Sequence, residues 1–322
     1  MEGYKKVNGE PKIPLAAVVG PTASGKSALA VELAVRFDGE IVSADSMQIY
    51  KRMDIGTAKP TAEEMRGVPH HLIDIAELSE PFSVADYVER AKACILEIRS
   101  RGKLPILAGG TGLYVRSLLQ GTRFSEGGRD ENIRRQLAER AEKEGADSLL
   151  QELKSFDPES AERIHPNNIP RIIRAIEIYR VTGKTMTEQN QESHRLPSPY
   201  HTCMIGLCFE DRENLYRRIG ERVDQMMQAG LPKEAERVLA EASPKTALQA
   251  IGYKEFLPYL NGQITLEEVA AQIKLETRHY AKRQMTWFRR DGEIHWLAVD
   301  ACRDFQEIAE KAERIVKKEL CL

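Results

Sequence analysis

Nothing in this sequence approaches the roughly 18–20 consecutive apolar residues that a membrane span requires. Its opening segment, MEGYKKVNGEPKIP, lacks the apolar stretch of a secretory signal. No membrane association is expected, and a cytoplasmic address follows. Cysteine is scarce: Cys94, Cys203, Cys208, Cys302 and Cys321 make an odd set with no Cys-x-x-Cys pair. That argues against a disulfide framework and against the usual cysteine-based zinc sites. Reduced thiols fit the cytosol. The seven histidines show no ligand spacing, and His70-His71 is expected to be structural. Charge excess is missing too. A net charge of −2 excludes a globally basic nucleic-acid binder, while a local basic patch stays open. There is no internal repeat and no low-complexity segment.

What is present is core-forming material. The 322 residues are 42% apolar and 30% charged, which rules out a wholly disordered chain. The length suggests two domains, or one large domain with an insertion. Leu15 to Val19 (LAAVV) is a short apolar run suited to a strand buried on both faces. Ser27 to Phe37 has helical period, and Glu40 to Ala44 reads as a second strand. Residues 82–101 form an amphipathic pattern with Ser83 as N-cap and Gly102 just past the end. Leu104 to Ala108 is a third buried strand, closed by Gly109-Gly110. Strands alternating with helices at this spacing predict a parallel α/β sheet. From about Gly121 the texture changes. Residues 129–184 hold helical patterns only, with EGGRDE marking the entry and RLPSP (Arg195 to Pro199) the exit. Cys203 to Phe209 returns as a strand, and 211–290 is helical, with breaks near Gly230, Pro244 and Gly262. The pattern predicts an all-helical insertion within one α/β domain.

The strongest local signal is GPTASGKS, comprising Gly20, Pro21, Thr22, Ala23, Ser24, Gly25, Lys26 and Ser27. It matches G-x-x-x-x-G-K-[ST]. The glycines let successive N–H groups face an anion, Lys26 adds a point charge, and the Ser27 hydroxyl suits Mg²⁺. At average glycine usage a chance match arises in roughly one chain in a hundred. Here a buried strand precedes the loop and a helix follows, so a diphosphate or polyphosphate site is expected. The third strand ends without a carboxylate. The acid instead follows the second strand, where Asp45 stands at the carboxyl end, the end at which open α/β sheets bind ligands. As a local feature Asp45 could merely cap the next turn; beside a diphosphate it could be a metal ligand or a general base.

Further blocks follow in order: DSMQIYKRMDIGTAKP (45–60), HHLID (70–74), AGGTGLY (108–114), HPNN-x-P-R (165–171), IGYKE (251–255) and AKRQMTWFR (281–289). Together with the phosphate loop they resemble the tRNA dimethylallyltransferase (isopentenyltransferase) family over nearly the whole chain. The resemblance implies a P-loop NTPase-like parallel core, residues 1–120 and 200–322 with C-terminal helices, and a helical insertion, residues 121–199, that contacts tRNA. It implies transfer of a dimethylallyl group from dimethylallyl diphosphate to the exocyclic N6 amine of the adenine 3′-adjacent to the anticodon, with Mg²⁺ assisting. The expected partners are the tRNA anticodon stem-loop and the prenyl donor, and the enzyme is expected to be a monomer. Lacking a C-terminal Cys/His cluster, the chain fits a bacterial-type member. Many relatives have Thr at the position of Ser27; the hydroxyl is kept.

Residue by residue, Asp45 matches the catalytic carboxylate, while Lys26, Thr22, Ser27 and the loop amides match the diphosphate site. Arg222 aligns with a diphosphate-contacting arginine, and Arg218, one turn earlier on the same face, stays open as the alternative. Ser46, Met47 and Gln48 match the segment that contacts the flipped base, with Gln48 suited to an adenine edge. Thr111 and Tyr114 should line the channel between substrates. Asn167, Asn168 and Arg171 match a second tRNA-contacting segment. Lys274, Arg278 and Lys282 recur every four residues and share a helix face, flanked by Arg283 and followed by Gln284 and Trp287. All of these are expected to face tRNA. Two competing functions stay open from the loop alone: a small-molecule P-loop kinase and an adenylate prenyltransferase acting on free AMP or ADP. The basic helix and the insertion weigh against both.

Overall fold

The computed structural model describes residues 6–7, 10–122, 130–195, 197–241 and 249–322. It divides into two units: residues 1–119 with 199–322, and residues 120–198.

The first unit is built on six parallel strands: β1 (Ile13–Val19), β2 (Gly39–Ser43), β3 (His70–His71), β4 (Leu104–Gly109), β5 (Tyr200–Cys208) and β6 (Ile294–Ala298). Their order is β3-β2-β4-β1-β5-β6, every pairing parallel. β1 lies near the centre because it is apolar on both faces. Leu15, Ala17 and Val19 feed one core and Ala16 and Val18 the other. The second face is covered by α1 (Lys26–Arg36) and the C-terminal helix, residues 305–320. The first face is covered by α2 (Val84–Ser100) and α3 (Gly112–Leu119), together with later helices. Ser83 caps α2 as expected, and the structure adds a capping box, with Asp86 N–H donating to Ser83 and the Asp86 carboxylate accepting from Ser83 N–H.

The second unit contains only helices among its described residues: α4 (Glu131–Glu144), α5 (Ala146–Phe156), α6 (Pro158–Arg163), α7 (Ile169–Thr182) and α8 (Met186–Arg195). It has its own core around Leu137, Leu149, Leu153, Ile172 and Ile176. At its centre Glu177, fully buried, accepts from Arg134 at 2.8 and 2.9 Å, from Arg174 at 2.6 Å and from Asp130 N–H at 2.8 Å. Burial alone would raise this carboxyl's pKa; the two arginines and the amide hold it below the usual range.

Back in the first unit, α9 (Arg212–Gln228), α10 (Leu231–Glu241) and α11 (Leu266–Phe288) follow β5, and α12 (Phe305–Leu320) closes the chain. Gly230 and Gly262 mark breaks, as expected. Pro244, residues 126–129 of the entry marker and Leu196 of the exit marker lie outside the described residues. Three elements add to the sequence-based expectation. His70-His71 forms an edge strand, where His71 Nε2 meets the buried Glu40 at 2.7 Å. β6 and α12 lie beyond residue 290, where motif patterning assigns nothing. Among the described residues, no helix is long and apolar enough to cross a membrane.

Candidate active site

The buried strand β1 ends at Val19 and the chain turns sharply through Gly20–Ser27. Gly25 takes a left-handed conformation (φ 92°), which glycine adopts without steric cost. Ala23 takes one as well (φ 62°), a strain of the kind found at ligand-binding loops. Ser24 N–H donates to Pro21 O at 3.3 Å, closing the turn. Among the described residues no side chain caps the start of α1, so the amides there remain available to an anion. Lys26 lies inside this loop with its Nζ 3.4 Å from Pro21 O. Burial, with Arg222 adding to it and Asp45 opposing, lowers the Lys26 pKa to about 8. A lysine whose charge is this poorly compensated is poised for an anionic ligand.

Two arginines reach the loop from α9. Arg222 Nη1 donates to Thr22 Oγ1 at 3.3 Å, and burial, partly offset by Asp45, lowers its pKa. Arg218 Nε donates to Ala23 O at 2.9 Å and its guanidinium lies 5.9 Å from the Phe209 ring. Of the two, Arg222 is the one in the Lys26–Asp45 electrostatic group, whereas Arg218 is exposed.

Asp45 follows β2. Its Oδ1 accepts from Met47 N–H at 2.9 Å and Gln48 N–H at 3.3 Å, so one oxygen holds the turn. No described residue hydrogen-bonds the other oxygen. The local capping role and a chemical role are therefore compatible in one carboxylate. β4 and β2 are stitched together at their ends, Ala44 N–H to Ala108 O and Thr111 N–H to Ala44 O, which carries Thr111 alongside. Thr111 Oγ1 accepts from Ser46 N–H at 3.0 Å. Tyr114 is buried and stacks on Tyr87, centroids 4.1 Å apart, so it supports the wall of the site. Met47 packs against the core.

Two amides expected to meet the RNA are engaged within the protein. Gln48 does not present a free amide to a base. Its Nε2 donates to the carbonyls of Thr57 and Ala58, both at 3.2 Å, and its Oε1 lies 3.4 Å from Ser43 Oγ. Gln284 is likewise not free on the helix surface: it is 5% exposed and both ends of its amide bond backbone groups of this chain. In each case the amide is bonded to backbone groups of neighbouring loops.

The basic helix α11 is less uniform than its spacing suggests. Lys282 and Arg283 are exposed, with Arg283 over the Tyr280 ring at 5.7 Å. Lys274 pairs with Asp224 at 2.6 Å, and Arg278 is half-buried over Tyr216. Trp287 is 37% exposed, while Phe288 is core. Tyr280 faces Asp45, Thr111 and Gln284, and burial first, then Asp45, pushes its pKa up to about 12. In the second unit, Asn167, Asn168 and Arg171 are all exposed at the N-terminal end of α7.

Sequence reasoning missed the residues that hold the 54–60 loop. Glu234 accepts from the N–H groups of Asp54 (3.1 Å), Ile55 (3.0 Å) and Gly56 (2.9 Å), and from Tyr253 Oη (2.8 Å). Lys59 Nζ donates to Tyr50 O at 2.6 Å and Asp54 at 2.8 Å, and also to Asp74. Tyr253 stands in the IGYKE block, which offered a signal; Glu234 stands in no motif.

A family model described as IPP transferase matches residues 48–291. A tRNA dimethylallyltransferase from Caldanaerobacter subterraneus is 50% identical over 301 residues, covering 92% of this chain and 96% of the relative. Another from Geotalea uraniireducens is 53% identical over 294 residues, covering 90% and 94%. Among solved structures, the tRNA isopentenylpyrophosphate transferase of Bacillus halodurans aligns with a TM-score of 0.71 at 44% identity, covering 96% of this chain and 97% of that one. A eukaryotic dimethylallyltransferase captured acting on tRNA aligns with a TM-score of 0.76 at 32% identity, covering 89% and 74%. With a family match over most of its length and relatives at half identity, this chain belongs to the IPP transferase family.

Proposed function

We propose that this chain transfers a dimethylallyl group from dimethylallyl diphosphate to the N6 amine of the adenine 3′-adjacent to the anticodon of tRNA, releasing diphosphate. The observation that carries it is Asp45, a carboxylate with one oxygen committed to its turn and the other hydrogen-bonded by no described residue, in one electrostatic group with Lys26 and Arg222 of a phosphate site. A kinase is not favoured, since β4 ends in Ala108-Gly109-Gly110 with no acid.

The adenine amine is a weak nucleophile because its lone pair is delocalised into the ring. Asp45 takes a proton from N6 as the C–N bond forms, worth about 10²–10⁴ in rate. The allylic C–O bond breaks and its electron pair leaves on the diphosphate. Lys26, Arg222 and the open amides at the start of α1 stabilise that charge. With a pKa of about 8, Lys26 is largely protonated at neutral pH, and a bound diphosphate would hold it so.

Mg²⁺ fits this donor set. The described residues hold no cluster of three acidic or imidazole ligands, and Ser27 is exposed at the start of α1. That suits a hard cation held largely by substrate phosphates and water, with one protein hydroxyl. When bound, it would neutralise diphosphate charge.

Lys282, Arg283 and Trp287 on α11, and Asn167, Asn168 and Arg171 on the insertion, supply exposed groups suited to RNA phosphates and bases. We further propose that the enzyme acts as a monomer, and a tRNA substrate suits a cytoplasmic address. The test is incubation with labelled dimethylallyl diphosphate and bulk tRNA, followed by digestion to nucleosides. Prenylated adenosine is expected; label absent from tRNA, or ADP released from ATP in step with modification, would overturn the proposal.

A further inference from the structure

Helix α11 turns Lys282 and Arg283 outward and buries one polar side chain. That residue is Gln284. Its Oε1 accepts from Thr22 N–H at 2.9 Å, and its Nε2 donates to Gly110 O at 2.9 Å. A buried primary amide with its acceptor and a donor each taken by a different loop acts as a strut, because moving either loop leaves a buried polar group unpaired. The neighbourhood is built for it. A Cβ at Gly110 would come within 2.1 Å of Gln284 Nε2, so only glycine leaves room for the amide. Tyr280, one turn earlier on α11, faces the same amide and Thr111.

The strut acts on the residue that matters most for the loop's shape. Thr22 gives its N–H to Gln284 and its hydroxyl accepts from Arg222. Rotating the Pro21–Thr22 peptide would break the N–H bond to Gln284, so the amide opposes that motion next to Ala23, which holds a left-handed conformation. We propose that Gln284 is a positioning residue of the diphosphate site: it touches neither substrate, fixes the shape of the phosphate loop through Thr22, and ties that loop to the helix carrying the RNA-facing charges. The inference rests on assigning Gly20–Ser27 to a diphosphate.

The test measures binding of inorganic diphosphate by calorimetry in magnesium buffer, alongside steady-state kinetics and tRNA affinity. The proteins are wild type, Gln284→Met, which keeps length and apolar bulk without hydrogen bonds, Gly110→Ala and the double variant. Gln284→Met should weaken diphosphate binding roughly tenfold, the usual cost of a buried polar group left unpaired. The KM for dimethylallyl diphosphate should rise in parallel, with a smaller change in kcat and tRNA affinity unchanged within twofold. Gly110→Ala, which displaces the amide, should show the same pattern, and the double variant should be no worse than either single one. Wild-type diphosphate affinity in folded Gln284→Met would overturn the proposal and leave Gln284 a packing residue. Loss of tRNA affinity with diphosphate binding intact would overturn it in favour of an RNA contact. Where Gln284→Met does not fold, Gly110→Ala decides by the same criteria. Failure of the wild-type protein to bind diphosphate would instead overturn the phosphate-site assignment beneath the proposal.

Discussion

Removing the charge of Lys26 should make the free protein more stable while abolishing its function. Burial, reinforced by Arg222, lowers the Lys26 pKa from 10.5 to about 8. At 1.36 kcal/mol per unit of pKa, keeping this lysine charged in the folded protein costs roughly 3 kcal/mol. Relaxation and water entry in a real site bring the expected gain of Lys26→Met to about 1–2 kcal/mol at pH 7. The pH dependence has a definite sign. Below about 8 both folded and unfolded chains hold the proton, and the full cost is present. Between about 8 and 10.5 the unfolded chain holds a proton that the folded chain has lost, so wild-type stability rises with pH across that window. The difference between variant and wild type should therefore be largest at pH 7 and shrink toward zero by 10.5. Urea denaturation of both proteins at pH 7, 9 and 10.5 without ligand measures it, since all other titrations cancel in the difference. Inorganic diphosphate should raise the melting temperature of wild type only, and turnover should fall by at least about 10². A variant no more stable than wild type at pH 7, or a difference that grows with pH, would refute the reasoning.

Asp45→Asn should lower single-turnover prenyl transfer by about 10²–10⁴ while binding of dimethylallyl diphosphate survives; near-wild-type turnover would exclude Asp45 as the base. Lys282→Ala and Arg283→Ala should each flatten the salt dependence of tRNA binding by about 0.7–0.9 in log K per log salt. Lys274→Ala should change that slope less, because Asp224 at 2.6 Å already compensates its charge; equal slopes for all three would show that the ion pair opens on binding. Glu234→Gln should cost about 2–4 kcal/mol in denaturant titrations, since an amide cannot accept from all four donors that meet the carboxylate. A loss below about 1 kcal/mol would show that the 54–56 loop is held by Lys59 alone.

The sequence by itself determined what is contiguous. The phosphate loop is legible because its anion-binding groups are neighbours along eight residues, framed by an apolar strand and a helix. The buried strands are legible because both their faces are apolar, and α2 because its amphipathic period and its Ser83 N-cap are local. Asp45 was legible from its place after β2. The edge strand β6 was not: it is short and mostly half-exposed, so its apolar signal is weak. The apolar stripe of α12, Ile308, Ala309, Ala312, Val316 and Leu320, was present but lies outside every motif.

Only the tertiary structure decided how polar side chains spend their hydrogen bonds. Gln284 reaches Thr22 across 262 positions and Arg222 reaches it across 200. Glu234 gathers the 54–56 amides from about 180 positions away. Residue type fixes which donors and acceptors a side chain carries, but not which backbone groups folding leaves unpaired beside it. That is why Gln48 and Gln284, both suited by type to a nucleic-acid base, are bound to the protein's own backbone. The same reason divides the basic helix: spacing puts Lys274, Arg278 and Lys282 on one face, and the packing of α9 against α11 neutralises the first, half-buries the second and leaves the third exposed.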